Sequence, residues 1–216
     1  MSDDHRLFAD RREAGRELAA RLAEIDGDAN PVVLALPRGG VPVGYEIARG
    51  LNAALDVFLV RKLGTPGHQE LAMGAIATGG VRVLNDEIVQ AFGIREDQID
   101  AVARREEIEL DRREASYRRG RLFPSLSGRT VILVDDGLAT GSTMKAAVLA
   151  VRQQKPARVI VAVPVGAPEA CRTLSVIADD VVCARMPRSF SAVGEWYRDF
   201  SQTTDEEVVE LLSSTA

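Results

Sequence analysis

The chain has few cysteines and no long apolar run near its start. Only two cysteines, Cys171 and Cys183, occur in 216 residues. That is too few for a disulfide framework, so we expect both to be buried small apolar side chains. The first residues, MSDDHRLFADRREAG, have no apolar run behind their charges. We therefore expect no signal peptide, no membrane anchor, no membrane partner, and a cytoplasmic location.

A surplus of positive charge is also missing. The formal net charge is −5, which gives no general attraction to nucleic acid, so no nucleic-acid partner is expected. Apolar residues make up 46% and charged residues 27% of the chain, as in ordinary soluble globular proteins. This length suits one well-buried α/β core better than two domains with separate active sites, so a single domain over residues 1–216 is expected.

Short apolar runs that alternate with helical patterns predict an α/β fold. Runs such as VVLAL at residues 32–36 suit strands buried on both faces, which indicates a central, mainly parallel sheet flanked by helices. The predicted βαβ units are strands 32–36 and 55–60 around a helix over 43–51, and strands 131–135 and 159–163 around a helix over 142–153. Outside this core of about residues 31–165, the predicted elements are an amphipathic helix at 7–25, a helix from 168, a strand at 181–184 and an acidic helix at 205–212.

The stretch between the two units begins with a turn-rich segment. GTPGHQE, residues 64–70, contains many turn-forming residues and predicts a mobile loop. Strand-like pieces at 73–77 and 81–84, separated by two glycines, predict a hairpin. Together these segments form a predicted flap.

Residues 95–121 carry equal numbers of acidic and basic residues, which predicts a long solvated helix and not a nucleic-acid-binding stripe. Its apolar positions Ala103, Leu110 and Tyr117 recur every seven residues, so a partner helix, and with it a homodimer, is one interpretation. Because the repeats are so few, we favour packing of this helix on its own domain.

The segment VILVDDGLATGST, residues 131–143, combines two adjacent acids with a glycine-containing loop where a strand is predicted to enter a helix. Ligands of open α/β sheets bind at such junctions. Residues 139–143 place backbone amides and hydroxyls at a helix N-terminus, which suits a phosphate. Asp135 and Asp136 suit vicinal hydroxyls, so a ribose 5-phosphate satisfies both parts. The alternative without a ligand is an ordinary helix N-cap after a strand.

Two common nucleotide-binding motifs are missing from this segment. No lysine follows Gly141, so the pattern G-x-x-x-x-G-K-[ST] is absent, and the glycines do not have the spacing G-x-G-x-x-G. His5 and His68 have no convincing serine or cysteine partner, which disfavours a hydrolase triad.

VILVDDGLATGSTM resembles the phosphoribosyl pyrophosphate motif of the type I phosphoribosyltransferases, which has four hydrophobic residues, two acids and a loop ending T-G-x-T. The resemblance implies their fold, a mainly parallel sheet flanked by helices with a small hood. It also implies transfer of 5-phosphoribosyl from phosphoribosyl pyrophosphate to a nitrogenous base, with release of pyrophosphate and with Mg²⁺ as cofactor. By this resemblance Asp135 and Asp136 bind the ribose hydroxyls. The substrate itself supplies most of the ligands of the Mg²⁺ ion, and either acid is a candidate protein ligand. The implied 5-phosphate-binding residues are Ala139, Thr140, Gly141, Ser142 and Thr143.

Two further segments resemble parts of the same family. LPRGG, residues 36–40, is similar to its pyrophosphate loop, which assigns Arg38 and Gly39 to pyrophosphate and implies a cis peptide bond before Arg38. VRKLG, residues 60–64, resembles the stretch before the family's mobile loop, which assigns Arg61 and Lys62 to pyrophosphate and makes Arg38 and Lys62 catalytic candidates. If these segments bind no ligand, residues 36–40 are simply a favourable turn, and Arg61 and Lys62 are two solvated cations at the end of a strand.

The acceptor is less well defined. FSAVGEWYRDF is similar to the hood of the six-oxopurine enzymes, so Phe190, Val193 and Trp196 are candidates for contact with a base, or else apolar side chains that cover the domain edge. Ala139 stands where those enzymes have an acid. The sequence L-A-T-G-x-T-M is more similar to that of adenine phosphoribosyltransferase. In that relative an acidic residue of the mobile loop is assigned to proton transfer, and by position Glu70 is the corresponding candidate. Over its whole length the sequence resembles bacterial phosphoribosyltransferase-like proteins whose acceptor is not settled. The alternative function is therefore that of a regulatory protein that binds phosphoribosyl pyrophosphate or a nucleotide without transferase activity.

Overall fold

Two β-sheets organise the part of the chain that the structure, a computed structural model, describes: residues 7–24 and 30–214. The strands are β1 (Val32–Ala35), β2 (Ala54–Val57), β3 (Val60–Thr65), β4 (His68–Ala77), β5 (Val81–Leu84), β6 (Thr130–Val134), β7 (Arg158–Val165) and β8 (Asp180–Arg185). The helices are α1 (Arg11–Ala23), α2 (Gly40–Leu51), α3 (Asp86–Ala91), α4 (Glu96–Arg118), α5 (Ser142–Gln153), α6 (Pro168–Leu174) and α7 (Asp205–Ser213), with a 3-10 turn at Val193–Trp196.

The larger sheet has the order β2-β1-β6-β7-β8, and all its neighbouring strands are parallel. Every residue of β1 and β6 is buried because helices cover both faces of the sheet. In β6, Ile132 and Val134 face the core cluster that contains α1, α2, α4 and α7 residues, and Val131 and Leu133 face the cluster that contains α5 and α6 residues. The predicted parallel sheet and both βαβ units are confirmed.

The smaller sheet is antiparallel, with the order β3-β4-β5. The strand predicted over 55–60 exists as β2, but its predicted end was wrong, because β2 ends at Val57 and the chain enters the smaller sheet at Val60. The prediction of a loop over residues 64–70 was also wrong, because only residues 66–67 form a turn between β3 and β4. Thr65 pairs with His68 across a tight turn, so this segment is the tip of a hairpin. The hairpin of β4 and β5 was predicted correctly.

Helix α4 packs on its own domain, as we favoured. Its positions Ala103, Leu110 and Tyr117 are buried in the core cluster that also holds residues of the larger sheet. The helix contacts β3 and α7. One of its charged residues, Arg118, is buried, and its Nε donates to the Asp56 Oδ1 atom of β2 at 3.0 Å. The seven-residue recurrence therefore reflects burial within the chain.

Other predicted elements occur close to their expected positions. The predicted helix at 7–25 is observed as α1, and residue 25 lies outside the described residues, as do residues 1–6 of the segment used to argue against a leader. Cys171 is buried as predicted, whereas Cys183 is half-buried, and both thiols are free. No helix within the described ranges combines the length and apolar character that crossing a membrane requires.

A third, smaller cluster joins the segment before α1 to the segment around Trp196. Phe8, before α1, packs with Trp196 and Tyr197, and its backbone N–H donates to the Trp196 carbonyl at 2.9 Å. Arg198 N–H returns a bond to the Phe8 carbonyl at 2.8 Å. The segment before α1 and the segment around 190–201 therefore form one layer beside the larger sheet.

Thr204 caps the N-terminus of helix α7 with its side chain. The Thr204 hydroxyl accepts a hydrogen bond from Glu207 N–H at 3.1 Å, and the helix buries Val208, Val209, Leu211 and Leu212. Thr204→Ala leaves that amide without its partner, so we expect the free energy of unfolding to fall by about 1 kcal/mol in urea denaturation. Thr204→Ser keeps the hydroxyl and serves as the control. Equal stability of the alanine and serine variants would contradict the cap.

Candidate active site

The loops after β1 and β6 meet at the carboxyl edge of the larger sheet. Since Ala35 pairs with Val134, the residues that follow the two strands emerge side by side. Asp136 lies directly against Gly39: a Cβ added to Gly39 would lie 2.0 Å from the Asp136 Oδ2 atom. The structure thus brings the predicted hydroxyl-binding acids into contact with the predicted pyrophosphate loop.

The two acids are mostly withdrawn from water. The Asp135 Oδ1 atom accepts a hydrogen bond from Asp136 N–H at 2.9 Å. Burial raises the pKa of Asp135 well above the usual carboxyl range, and the adjacent Asp136 charge raises it further. Burial also raises the pKa of Asp136, although the Arg11 guanidinium partly offsets this. A ligand that donates hydrogen bonds or positive charge to these carboxylates would favour their ionised forms.

The loop at 139–143 has the geometry of an anion cradle. Gly141 has φ +71°, a left-handed conformation that favours glycine, and it caps the N-terminus of α5. Ala139, Thr140, Ser142 and Thr143 are exposed, and the Thr140 and Ser142 hydroxyl oxygens lie 3.2 Å apart. Because first-turn amides of a helix have no partner within the helix, this arrangement offers N–H and O–H donors to a phosphate.

The predicted pyrophosphate-binding cations have different surroundings. The peptide bond between Pro37 and Arg38 is cis, as the resemblance implied. The Arg38 Nη1 atom lies 3.8 Å from the Asp205 Oδ1 atom of α7. The Arg61 Nη2 atom lies 2.7 Å from the Glu106 Oε2 atom of α4. Both arginines are therefore paired with acids of helices in this state.

Lys62 lies on the opposite face of β3 from Arg61, since side chains alternate along a strand. It is exposed and lines a cleft of about 620 Å³ between the smaller sheet and the first turns of α5. Ser142 and Thr143 line the same cleft. Lys62 and part of the predicted 5-phosphate loop thus border one open space.

The candidates for the acceptor side are scattered. Glu70 is exposed in β4, near the tip of the hairpin. Val193 lies against the acid motif, because a Cβ on Gly137 would lie 2.5 Å from its Cγ1 atom. Phe190 is half-buried beside the third cluster, and Trp196 is buried within it with 8% exposure. Of these four residues, Val193 has the direct contact with the motif.

Two residues that the sequence analysis did not identify hold Asp136. Arg11 Nε donates to the Asp136 Oδ2 atom at 2.9 Å, and the Tyr197 hydroxyl donates to the Asp136 carbonyl at 2.6 Å. Burial raises the pKa of the Tyr197 hydroxyl, so it stays a donor. One signal was present for Arg11: Asp10 and Glu13 have the spacing of a helix cap, which places Arg11 at the first helical position.

The sheet topology and the loops at the carboxyl edge of the larger sheet together define a class of protein. A parallel sheet flanked by helices, a small separate antiparallel sheet, and an acid pair that leads into a glycine-capped helix are features of the type I phosphoribosyltransferase-like fold. The sequence profile described as "Phosphoribosyl transferase domain" matches residues 8–197. The chain belongs to the phosphoribosyl transferase domain family.

Relatives agree with this assignment. Two Mycobacterium tuberculosis proteins, from strains CDC 1551 and H37Rv and both provisionally named phosphoribosyl transferases, are each 51% identical over 207 residues, which is 96% of this chain and 46% of theirs. The chain thus spans about half the length of these curated relatives. A Thermus thermophilus crystal structure is 46% identical with a TM-score of 0.88, covering 97% of this chain and 99% of that one. An Aquifex aeolicus structure, 13% identical with a TM-score of 0.51 over 85% and 78% of the two chains, shares the fold alone.

Proposed function

We propose that this domain transfers the 5-phosphoribosyl group from phosphoribosyl pyrophosphate to a nitrogenous base and releases pyrophosphate. The observation that carries the proposal is the contact between the Asp136 carboxylate and Gly39. It brings the acid pair beside the cis-peptide loop, and the acid pair leads directly into the loop at 139–143, where we propose that the phosphate binds. A donor with phosphates at both ends of a ribose has the matching chemistry.

In this proposal each part of the donor has its own binding residues. The 5-phosphate is bound by the amides and hydroxyls of residues 139–143, and the ribose hydroxyls donate to Asp135 and Asp136. The pyrophosphate lies beside Arg38, Gly39 and Lys62. The Arg38 pair with Asp205 is solvent-exposed, with 39% and 62% of the side chains accessible, so Arg38 can exchange that partner for a phosphate at little cost.

The residues present fit Mg²⁺ held mainly by the substrate. Mg²⁺ prefers oxygen ligands and commonly combines one or two carboxylates with substrate phosphates and water. Asp135 and Asp136 offer such carboxylates, and the described residues contain no group of three or more histidine, cysteine or acidic side chains arranged for a metal. When bound, the ion would reduce the negative charge of the departing pyrophosphate.

The proposed reaction is displacement at C1 of the ribose by a ring nitrogen of the base. The bond from C1 to the pyrophosphate oxygen breaks as the bond to nitrogen forms, through an oxocarbenium-like state. Arg38 and Lys62 stabilise the charge that develops on the leaving group. The base lies on the side of Val193 and Phe190, with Trp196 supporting that segment from the buried cluster. Glu70 is the candidate to accept a proton from the base.

Lys62 provides a direct test of leaving-group stabilisation. Lys62→Met keeps the length of the side chain and removes its charge, so we expect kcat to fall about tenfold in a pyrophosphate-release assay. Lys155→Met removes an exposed charge just beyond the C-terminus of α5 and is the matched control, with unchanged kcat. Equal rates for the two variants would remove Lys62 from the mechanism.

The function itself is tested by mixing the protein with phosphoribosyl pyrophosphate, Mg²⁺ and a panel of purine and pyrimidine bases. We expect pyrophosphate release that requires both Mg²⁺ and one class of base. Mg²⁺-dependent binding of the donor without turnover by any base would contradict the transferase proposal and favour the regulatory alternative.

A further inference from the structure

Arg11 connects the acid pair to two distant segments. Its Nε donates to the Asp136 Oδ2 atom at 2.9 Å, and its Nη1 donates to the Ser201 carbonyl at 2.7 Å. The guanidinium carbon lies 3.9 Å from the centre of the Phe200 ring. Only 11% of the Arg11 side chain is exposed. A planar guanidinium held on two edges and one face has a defined orientation.

The neighbouring Arg12 has a different environment. Its Nη1 lies 3.4 Å from the Glu46 Oε1 atom of α2, and 43% of its side chain is exposed. Its guanidinium lies 5.2 Å from the centre of the Tyr45 ring. Both arginines of α1 thus contact a carboxylate and an aromatic ring, but the carboxylate of Arg11 belongs to the acid motif and that of Arg12 belongs to α2.

Arg11 also differs from the cations assigned to pyrophosphate. Arg38 and Arg61 are paired with Asp205 and Glu106, which belong to helices outside the motif. The partner of Arg11 is a motif carboxylate itself. Its charge therefore acts at the point where, under the proposed function, the ribose hydroxyls bind.

We propose that Arg11 is a positioning residue of the donor-sugar site: it fixes the Asp136 carboxylate against Gly39 and supplies a positive charge beside the two adjacent acids. This inference rests on the proposed function. Arg11 holds the carboxylate while Tyr197 holds the carbonyl of the same residue, so Asp136 is fixed at both ends by the layer that joins the segments before α1 and around 190–201. A donor carrying several phosphate charges meets an acid pair whose charge is partly balanced.

The geometry leads to a specific pattern of effects. A charge-assisted hydrogen bond is stronger than a neutral one and directional, so its loss leaves Asp136 free to rotate away from the hydroxyls. Because Arg11 acts on the donor sugar through Asp136, its loss weakens donor binding more than it slows the chemical step. Lysine retains the charge but cannot bond Asp136 and Ser201 at once in the geometry of the guanidinium fork.

The experiment compares Arg11→Gln, Arg11→Lys and Arg12→Gln in the full chain with Mg²⁺ present. Calorimetry measures the Kd for phosphoribosyl pyrophosphate, steady-state kinetics measure KM and kcat, and circular dichroism measures the folded fraction. We expect Arg11→Gln to raise Kd and KM about tenfold with kcat changed less than about twofold. Arg11→Lys should recover a large part of the affinity, and Arg12→Gln should match the wild type.

Several results would overturn the inference. Affinity of folded Arg11→Gln equal to that of the wild type would do so, as would equal losses in the Arg11→Gln and Arg12→Gln variants. Tighter donor binding by Arg11→Gln would also do so, because Arg11 would then compete with the sugar for Asp136. If Arg11→Gln matches the wild type while Asp136→Asn loses the donor, only the role of Arg11 fails. If the wild-type protein does not bind the donor, the proposed function fails with it.

Discussion

Replacing Asp135 and Asp136 together by asparagine is expected to abolish binding of phosphoribosyl pyrophosphate without unfolding the protein. Each carboxylate is assigned a ribose hydroxyl, and a hydrogen bond to a charged group contributes about 1.5–3 kcal/mol. Loss of both bonds therefore predicts a decrease in affinity of about a hundredfold or more. Asparagine has nearly the shape of aspartate, so the contact with Gly39 and the bond from the backbone amide of residue 136 are retained.

Burial of these acids predicts that Asp135→Asn stabilises the protein at neutral pH and has little effect at acidic pH. The pKa of Asp135 is raised in the folded protein by burial and by the Asp136 charge, so ionisation of this group opposes folding at neutral pH. That opposition disappears as the pH falls below the pKa of the unfolded chain, about 4. Asp135→Asn alone should thus melt at a higher temperature than the wild type at pH 7 and at a similar temperature near pH 3.

Asp179 is a matched control. It is likewise next to a strand of the larger sheet, just before β8. Hydrogen bonding to Arg152 is the main cause that lowers its pKa, helped by the hydrogen bond from Val159 N–H. A lowered carboxyl pKa contributes stability above the unfolded pKa, and this contribution is lost as the pH falls through the folded value. Asp179→Asn should therefore reduce the melting temperature at pH 7 and leave donor binding unchanged.

Calorimetry with Mg²⁺ and thermal melting at the two pH values check these expectations. Unchanged affinity in the double variant would refute the assignment of the acids to the ribose hydroxyls. A decrease in melting temperature for Asp135→Asn at pH 7 would show that the Asp135 carboxylate supports the fold, contrary to the burial argument.

The parts of the site that are contiguous in sequence could be predicted from it. Residues 131–143 contain a buried strand, two acids, a left-handed glycine and a helix start in one stretch, and each follows from local chemistry. Parallel pairing of β1 with β6 then brings Gly39 to Asp136, because the carboxyl ends of parallel strands share an edge.

Partners from distant parts of the chain could not be predicted in the same way. Arg11 and Asp136 are separated by 125 residues. The cap formed by Asp10 places Arg11 at the first helical position, but nothing local shows that Asp136 is its partner. The pairs that hold Arg38 and Arg61 likewise depend on how α7 and α4 pack. The hairpin at 64–70 was missed for another reason: its strands are held by backbone pairing through polar residues, which leave no alternating apolar pattern.

Gly39→Ala is expected to weaken donor binding about tenfold to a hundredfold with little change in stability. Gly39 has φ −61° and ψ −32° at the start of α2, which alanine adopts readily, so the backbone alone gives no reason for a loss. The added Cβ would lie 2.0 Å from the Asp136 Oδ2 atom and 2.6 Å from its Cγ atom. The carboxylate must therefore turn away, and the bond from Arg11 to the same oxygen is lost with its orientation.

Gly128→Ala separates this effect from ordinary glycine strain. Gly128 has φ +71° and no atom within 4 Å of an added Cβ, so alanine there should cost about 1 kcal/mol of stability and leave the Kd unchanged. Gly39→Ala should show the reverse pattern, a raised Kd at nearly constant stability, because its clash is with the Asp136 carboxylate, the proposed ligand of the ribose, and not with its own backbone. If the Kd of Gly39→Ala is within twofold of the wild-type value, then binding of the sugar does not require the contact of the Asp136 carboxylate with residue 39.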